Sequence, residues 1–258
     1  MTALADYQDK YEFIKLRRED GILEIRIHQR SGPAKWNYHP GGLHDELGDC
    51  FYQAGRDPQN RIVIITGTGD VFLTESDLSV PDPLMGTPAF WYRIWKEGKD
   101  LLENLLNIEC PVIGAVNGDA FIHSEIPTMS DIVICSDRAA FADKAHVPSG
   151  TAAGDGVHVW WQMLLGPNRG RHFLLTGTEI PALQALELGV VAEVVPHAEV
   201  NARAWEVARQ LSKTNDYALR YTRAACVQHI RRRMMDDLGH GLMLEGMGVL
   251  ARVAGQGK

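Results

Sequence analysis

A histidine and an aspartate, His146 and Asp155, sit nine positions apart, joined by the glycine-containing stretch AHVPSGTAAGDG. A loop of that composition can fold back and bring the two side chains together; the alternative is a loop in which they never meet. A carboxylate on one imidazole nitrogen fixes the tautomer and makes the other nitrogen a better base. A second candidate is His123 in FIHSE, just after the apolar run that ends at Gly118. Carboxyl ends of parallel strands are where α/β proteins place ligands, although a lone histidine there can also be structural. Trp36 with His39 and His44, around a Pro-Gly-Gly turn, forms a third group. Glu245 lies in the apolar stretch GLMLEGMG, either snorkelling at a helix edge or pointed into a cavity.

Other chemistries have less support. There is no GxSxG, HExxH or CxxC pattern. His123, His146 and Asp155 are zinc-ligand types, but no spacing supports a metal site. Gly67-Thr68-Gly69 lacks the spacing of a phosphate cradle. Cys226 and His229 share a helical stretch, and core packing is the expected role of that cysteine.

Elements must position these residues. YEFIKLR and ILEIRIH alternate about Glu19-Asp20-Gly21, which predicts a hairpin over 12–28. RIVIITG, PVIGAVNG and DIVICS are continuous apolar runs, as in strands buried on both faces. Helical patterns fall at 43–56, 89–107 and 157–165, so strands alternate with helices and imply a mostly parallel sheet. Pro181 opens a short helix that Gly189 ends. VVAEVV follows, then three helical stretches at 198–213, 216–233 and 236–253.

The chain has 258 residues, enough for a sizeable core in one large α/β domain or one with a helical appendage. Its formal charge of −7 argues against a nucleic-acid partner, and the basic run Arg231-Arg232-Arg233 reads as a solvated helix face. Four dispersed cysteines suit a reducing cytoplasm. No apolar run is long enough to span a membrane, and the acidic opening MTALADYQDKYEF is unlike a signal peptide.

In their order along residues 12–255, four stretches resemble the crotonase (enoyl-CoA hydratase/isomerase) superfamily: RIVIITGTGDVFLTESDL, CPVIGAVNGDAF, EIPTMSDIVICSDRAAFAD and GRHFLLTGTEIPALQALELGVVAEVVP. The resemblance implies an α/β spiral of ββα units over 1–195 and a helical trimerisation region over 196–258, in a homotrimer or a hexamer made of two trimers. It also implies oxyanion-hole amides near 73–75 and 122–123. The departures are informative. Where CoA-using members carry small, glycine-rich oxyanion segments, this chain has Leu73-Thr74-Glu75-Ser76-Asp77-Leu78 and Phe121-Ile122-His123. Glu125 aligns with one hydratase base, but His146 stands where the second glutamate is expected.

Those departures resemble the oxocamphor-hydrolase type of β-diketone hydrolase, as do HSEIPTMSD, HDEL and a late-helix glutamate. This resemblance implies that His146 and Asp155 activate water, that His123 and Trp36 bind a substrate carbonyl, and that Glu245 lies in the pocket. His44 is the expected pocket histidine, with His39 as its rival. Leu73, Glu75 and Ile122 are expected to border the substrate, and Phe72, Phe90, Trp91, Phe121 and Trp160 are candidate walls. The implied reaction is retro-Claisen hydrolysis of a cyclic, non-enolisable β-diketone to a keto acid, with no cofactor or metal. A CoA-thioester hydratase, isomerase or hydrolase with an altered site, and a binding protein that has lost its chemistry, are the alternatives.

Overall fold

A computed structural model describes residues 2–255. The hairpin forms as its pattern predicts: β1 (Ile14–Glu19) pairs antiparallel with β2 (Ile22–Ile27). Asp20 and Gly21 both take positive φ, 51° and 79°. That backbone twist matches the twist of the flanking strands.

From there a unit recurs along the chain. The helix α1 (Leu43–Arg56) closes the first unit. The second is β3 (Ile62–Thr66), β4 (Val71–Leu73) and α2 (Pro88–Asn107). The third is β5 (Val112–Val116), β6 (Asp119–Ala120) and α3 (Glu125–Thr128). The fourth is β7 (Ile132–Ser136), β8 (Ala140–Phe141) and α4 (Val157–Leu165). Next come α5 (Pro167–Thr176), β9 (Ile180–Pro181), α6 (Ala182–Glu187) and β10 (Glu193–Val195). The first strands of the units join one sheet of order β1-β2-β3-β5-β7-β10, parallel except at β1. The second strands form a smaller sheet, β4-β6-β8-β9. The second, third and fourth units therefore leave the large sheet, touch the small one and return through a helix. All five residues of β3 and of β5 are buried, as expected for strands covered on both faces.

Among the described residues, the C-terminal region has two α-helices rather than three helical stretches. The helix α7 (Val200–Leu211) lays Val200, Ala204, Trp205 and Ala208 against Ile62, Ile64, Ile113 and Ile134 of the sheet. The helix α8 runs unbroken over Asp216–Val253. Met234 and Met235 fall where a break is expected, but neither breaks a helix, and no proline intervenes. Val227, Ile230, Met234, Leu238 and Leu242 of α8 join the main core, whereas α7 packs in the separate cluster on the sheet's other face. Cys226 departs from expectation too: it faces solvent, as does His229, while the other three cysteines are buried.

Candidate active site

The loops that follow β2, β4, β6 and β8, together with α2 and the far half of α8, line a cavity of about 230 Å³. His123, His146, Asp155 and Glu245 reach it from three separate parts of the chain: the β6–α3 turn, the β8–α4 connection that carries both His146 and Asp155, and α8.

His123 follows β6 and holds a positive φ of 49°, unusual for a residue with a Cβ. Strain of this kind costs on the order of 1–3 kcal/mol and persists where the surroundings enforce it. Glu125, in the first turn of α3, accepts from His123 Nδ1 at 2.9 Å. His146 lies beyond β8, and its Nδ1 donates to buried Asp143 at 2.7 Å. Asp155 precedes α4 between two glycines with different tasks. A Cβ at Gly154 would fall 2.1 Å from the carbonyl oxygen of Gly241, so glycine lets α8 approach. Gly156 takes φ 104° to turn the chain into α4.

Asp155 is the meeting point. Its Oδ2 lies 3.0 Å from His123 Nδ1 and 3.3 Å from His146 Nε2. Both contacts are close enough for charge attraction but are not aligned as hydrogen bonds, and neither Asp155 oxygen has a hydrogen-bond partner among the described residues. Glu245 Oε1 lies 3.8 Å from His146 Nε2. Donor atoms of His123, Glu125 and Asp155, or of His146, Asp155 and Glu245, lie within 4.8 Å of one another. Either set has the spacing to hold a cation.

The electrostatics follow from burial and these neighbours. Burial alone would lower His123, but Glu125 and Asp155 more than offset it and raise the imidazole to about 10. Burial opposes charge on His146 as well; Asp155 and Asp143 outweigh it and lift that imidazole well above its ordinary value. Burial would raise Asp155, yet the two imidazoles hold it well below the usual carboxylate range. Burial, and then the charge of Asp155, push Glu245 up to about 8.

Trp36 lies in the chain after β2. Its amide donates to the Glu75 carbonyl at 2.8 Å, and its carbonyl accepts from the Asp77 amide at 2.7 Å. This clamp sets the indole 3.8 Å from the His123 ring, centroid to centroid. His44, in the first turn of α1, also lines the cavity. His39 does not: it packs on Phe13 outside the cavity, because Asn37 and Gly42 close the turn and start α1 with His44 inward. The Glu75 side chain points outward to Lys35 at 2.6 Å and serves only through its carbonyl. Leu73 is core, and its carbonyl accepts from the Phe121 and Ile122 amides at 2.9 and 3.1 Å. The Ile122 amide is thereby spent, although its side chain lines the cavity. Phe90 and Trp91 are walls. Phe72, Phe121 and Trp160 are not, and Trp160 donates instead to Thr128 at 2.9 Å. Asp143 was not anticipated, although it lies only three residues before His146 in the same polar segment.

Residues 17–244 match the family model for enoyl-CoA hydratase/isomerase. The chain belongs to the enoyl-CoA hydratase/isomerase family. Within this family it is similar to a solved β-diketone hydrolase from the cyanobacterium Anabaena sp. PCC 7120, bound to (S)-3-oxocyclohexyl acetic acid. The two are 42% identical, with a TM-score of 0.92 over 96% of this chain and 98% of that one. A solved enoyl-CoA hydratase/isomerase from Mycobacterium paratuberculosis is 25% identical, with a TM-score of 0.86 over 94% and 95% of the two chains. A carnitinyl-CoA dehydratase from Shigella flexneri is 32% identical over 216 residues, 81% of this chain and 77% of that protein. No helix among the described residues is long and apolar enough to cross a membrane.

Proposed function

We propose that this chain is a cytoplasmic hydrolase that cleaves a carbon–carbon bond of a cyclic β-diketone by retro-Claisen addition of water. The observation that carries the reading is Asp155 poised between His123 and His146 at the wall of a small apolar cavity. Likeness to a β-diketone hydrolase holding a keto acid, the product class of this reaction, supports it.

A diketone with no acidic proton between its carbonyls cannot escape as an enolate. Water adds to one carbonyl, and the tetrahedral oxyanion collapses and expels the enolate of the other ketone. His123, raised to about 10, is an imidazolium at neutral pH and serves as a charged donor to the substrate oxygen. With the Ile122 amide spent on Leu73, this imidazolium replaces the backbone donor expected there. Loss of one such donor typically costs about 3 kcal/mol. The His146–Asp155 pair takes the proton of water. For this His146 must first release its own Nε2 proton to solvent, because Asp155 is held too acidic to keep it and Glu245, 3.8 Å away and pushed up to about 8, already carries a proton at neutral pH. The Glu245 acid protonates the departing enolate carbon, and the proton that His146 took from water then restores it. Positioned proton transfer of this kind contributes roughly 100- to 10,000-fold. The reading requires no cofactor and no metal.

The direct test is incubation with a bicyclic 1,3-diketone carrying a quaternary carbon between its carbonyls, in ¹⁸O-labelled water. A keto acid with label in its carboxylate is expected. No turnover by a folded enzyme, or full activity in His146→Ala or Asp155→Asn, sinks the reading.

A CoA-thioester reaction is the second reading, favoured by the CoA-acting relatives and by buried Glu125. Binding of crotonyl-CoA would support it, and no binding at millimolar concentration would remove it. Family membership also supports assembly as a trimer or a hexamer through α8, which exposes Tyr221, Met235, Met243 and Met247. A monomer by light scattering at micromolar concentration would count against assembly.

A further inference from the structure

A chain of buried and half-buried charges lies beside the reacting groups without belonging to them. Glu97 of α2 accepts from His44 Nδ1 at 3.1 Å and from Arg93 Nη1 at 3.0 and 3.1 Å. The same Nη1 donates to the Tyr38 carbonyl at 2.9 Å. Arg93 Nη2 pairs with buried Asp82. Asp82 sits in residues 77–86, a stretch without helix or strand that places Leu78 and Met85 over the cavity. At the other end, His44 meets Trp36 edge-on at 5.3 Å, and Trp36 lies against His123.

We propose that Arg93 is a positioning residue that ties closure of the 77–86 segment to the placement of His44, and through His44 to Trp36 and His123. One guanidinium is shared by two carboxylates on different elements. If the segment lifts, Nη2 loses the one partner it has among the described residues. A half-buried guanidinium that loses one of its two carboxylates is left undercompensated, so Arg93 reorients and loosens Glu97. The cavity walls and the electrophilic imidazole therefore order together, and Arg93 acts on ligand affinity more than on the chemical step. The hydrolase reading enters only in the choice of ligand.

The test compares Asp82→Asn, Glu97→Gln and their double variant by binding of (3-oxocyclohexyl)acetic acid and by hydrogen exchange of 77–86. Each single change is expected to weaken binding ~10-fold, and the double variant also ~10-fold rather than the ~100-fold of independent sites. Exchange of 77–86 is expected to quicken in Glu97→Gln, although among the described residues Glu97 makes no hydrogen bond or ion pair with that segment. Additive losses of affinity, or unchanged exchange in Glu97→Gln, would overturn the proposal, as would a lowered Tm with affinity and exchange both intact. If the unaltered protein does not bind the keto acid, the hydrolase reading loses support, and the exchange arm still decides the coupling. Arg93→Met should reproduce both effects; if it fails to fold, the Asp82 and Glu97 variants carry the test.

Discussion

Asp143 holds His146: the carboxylate accepts from Nδ1 at 2.7 Å, with both side chains buried. This bond places the proton on Nδ1 and turns Nε2 toward Asp155 and Glu245. Asp143→Asn keeps the shape but can present its amide N–H to Nδ1 and favour the wrong tautomer. A loss of kcat on the order of 100-fold or more is expected, since orienting carboxylates of this type have effects up to about 10,000-fold. Removing a charge that raises His146 should also shift the rising limb of the pH–rate profile to lower pH. Steady-state kinetics across pH checks both, and unchanged kcat with an unmoved limb would show that Asp143 is only structural.

The pH profile has a second side. Glu245, pushed up to about 8 by burial and by Asp155, carries a proton at neutral pH. As pH rises through about 8 the acid form is lost, so activity should fall on the alkaline side. Glu245→Gln should lower kcat by roughly 10- to 1,000-fold, and the alkaline fall should vanish with the group that titrates. A profile that still falls in this variant would assign the limb to another group.

Much of this arrangement was legible in the sequence, for reasons specific to each part. The buried strands announced themselves as unbroken apolar runs, and Asp20-Gly21 marked the hairpin because few other pairs tolerate two positive φ values. The helices expected from spacing at 43–56, 89–107 and 157–165 form at 43–56, 88–107 and 157–165. His146, Asp155, His123 and Glu245 stood out as polar residues in bland surroundings, and the structure gathers them around one cavity. What stayed hidden was orientation. Periodicity cannot say that Glu75 turns to Lys35, that His39 leaves the cavity to His44, or that the Ile122 amide is spent on Leu73. Each depends on a partner distant in sequence. The continuity of α8 was missed because its apolar stripe changes neighbours part-way, from the core to the cavity wall.

Glu24 lies buried in the sheet and accepts from Trp205 Nε1 at 2.7 Å, Asn201 at 2.9 Å and Arg26 at 2.9 Å. Burial pushes its carboxyl up, but the hydrogen bonds and the Arg26 charge outweigh this and hold it below its ordinary value. A carboxyl depressed on folding stabilises above its unfolded value and loses that contribution as pH falls through the folded one. Stability should therefore drop below about pH 4.5, and Trp205→Phe should lower it at neutral pH by about 1–2 kcal/mol by removing one donor. Urea unfolding at neutral and acid pH checks both effects. An unaltered midpoint in Trp205→Phe would refute the assignment.

The glycines of α8 make opposite predictions from the same substitution. A Cβ at Gly246 would sit 2.2 Å from Trp91 Nε1, where Trp91 lines the cavity and donates to the Leu242 carbonyl at 2.9 Å. A Cβ at Gly239 would meet nothing closer than 3.8 Å, at Trp95. Alanine in a helix interior gains up to about 1 kcal/mol over glycine, so Gly239→Ala should raise Tm. Gly246→Ala must move the indole or the helix, and overpacking of this type costs about 1–3 kcal/mol. Because Gly246 follows Glu245, the shift also displaces the carboxyl from His146, so activity should fall further than the loss of folded protein explains. Paired thermal melts and kcat measurements on the two variants separate these effects. A Gly246→Ala variant with unchanged Tm and kcat would mean that α8 is not held against α2 as closely as the Trp91 contact requires.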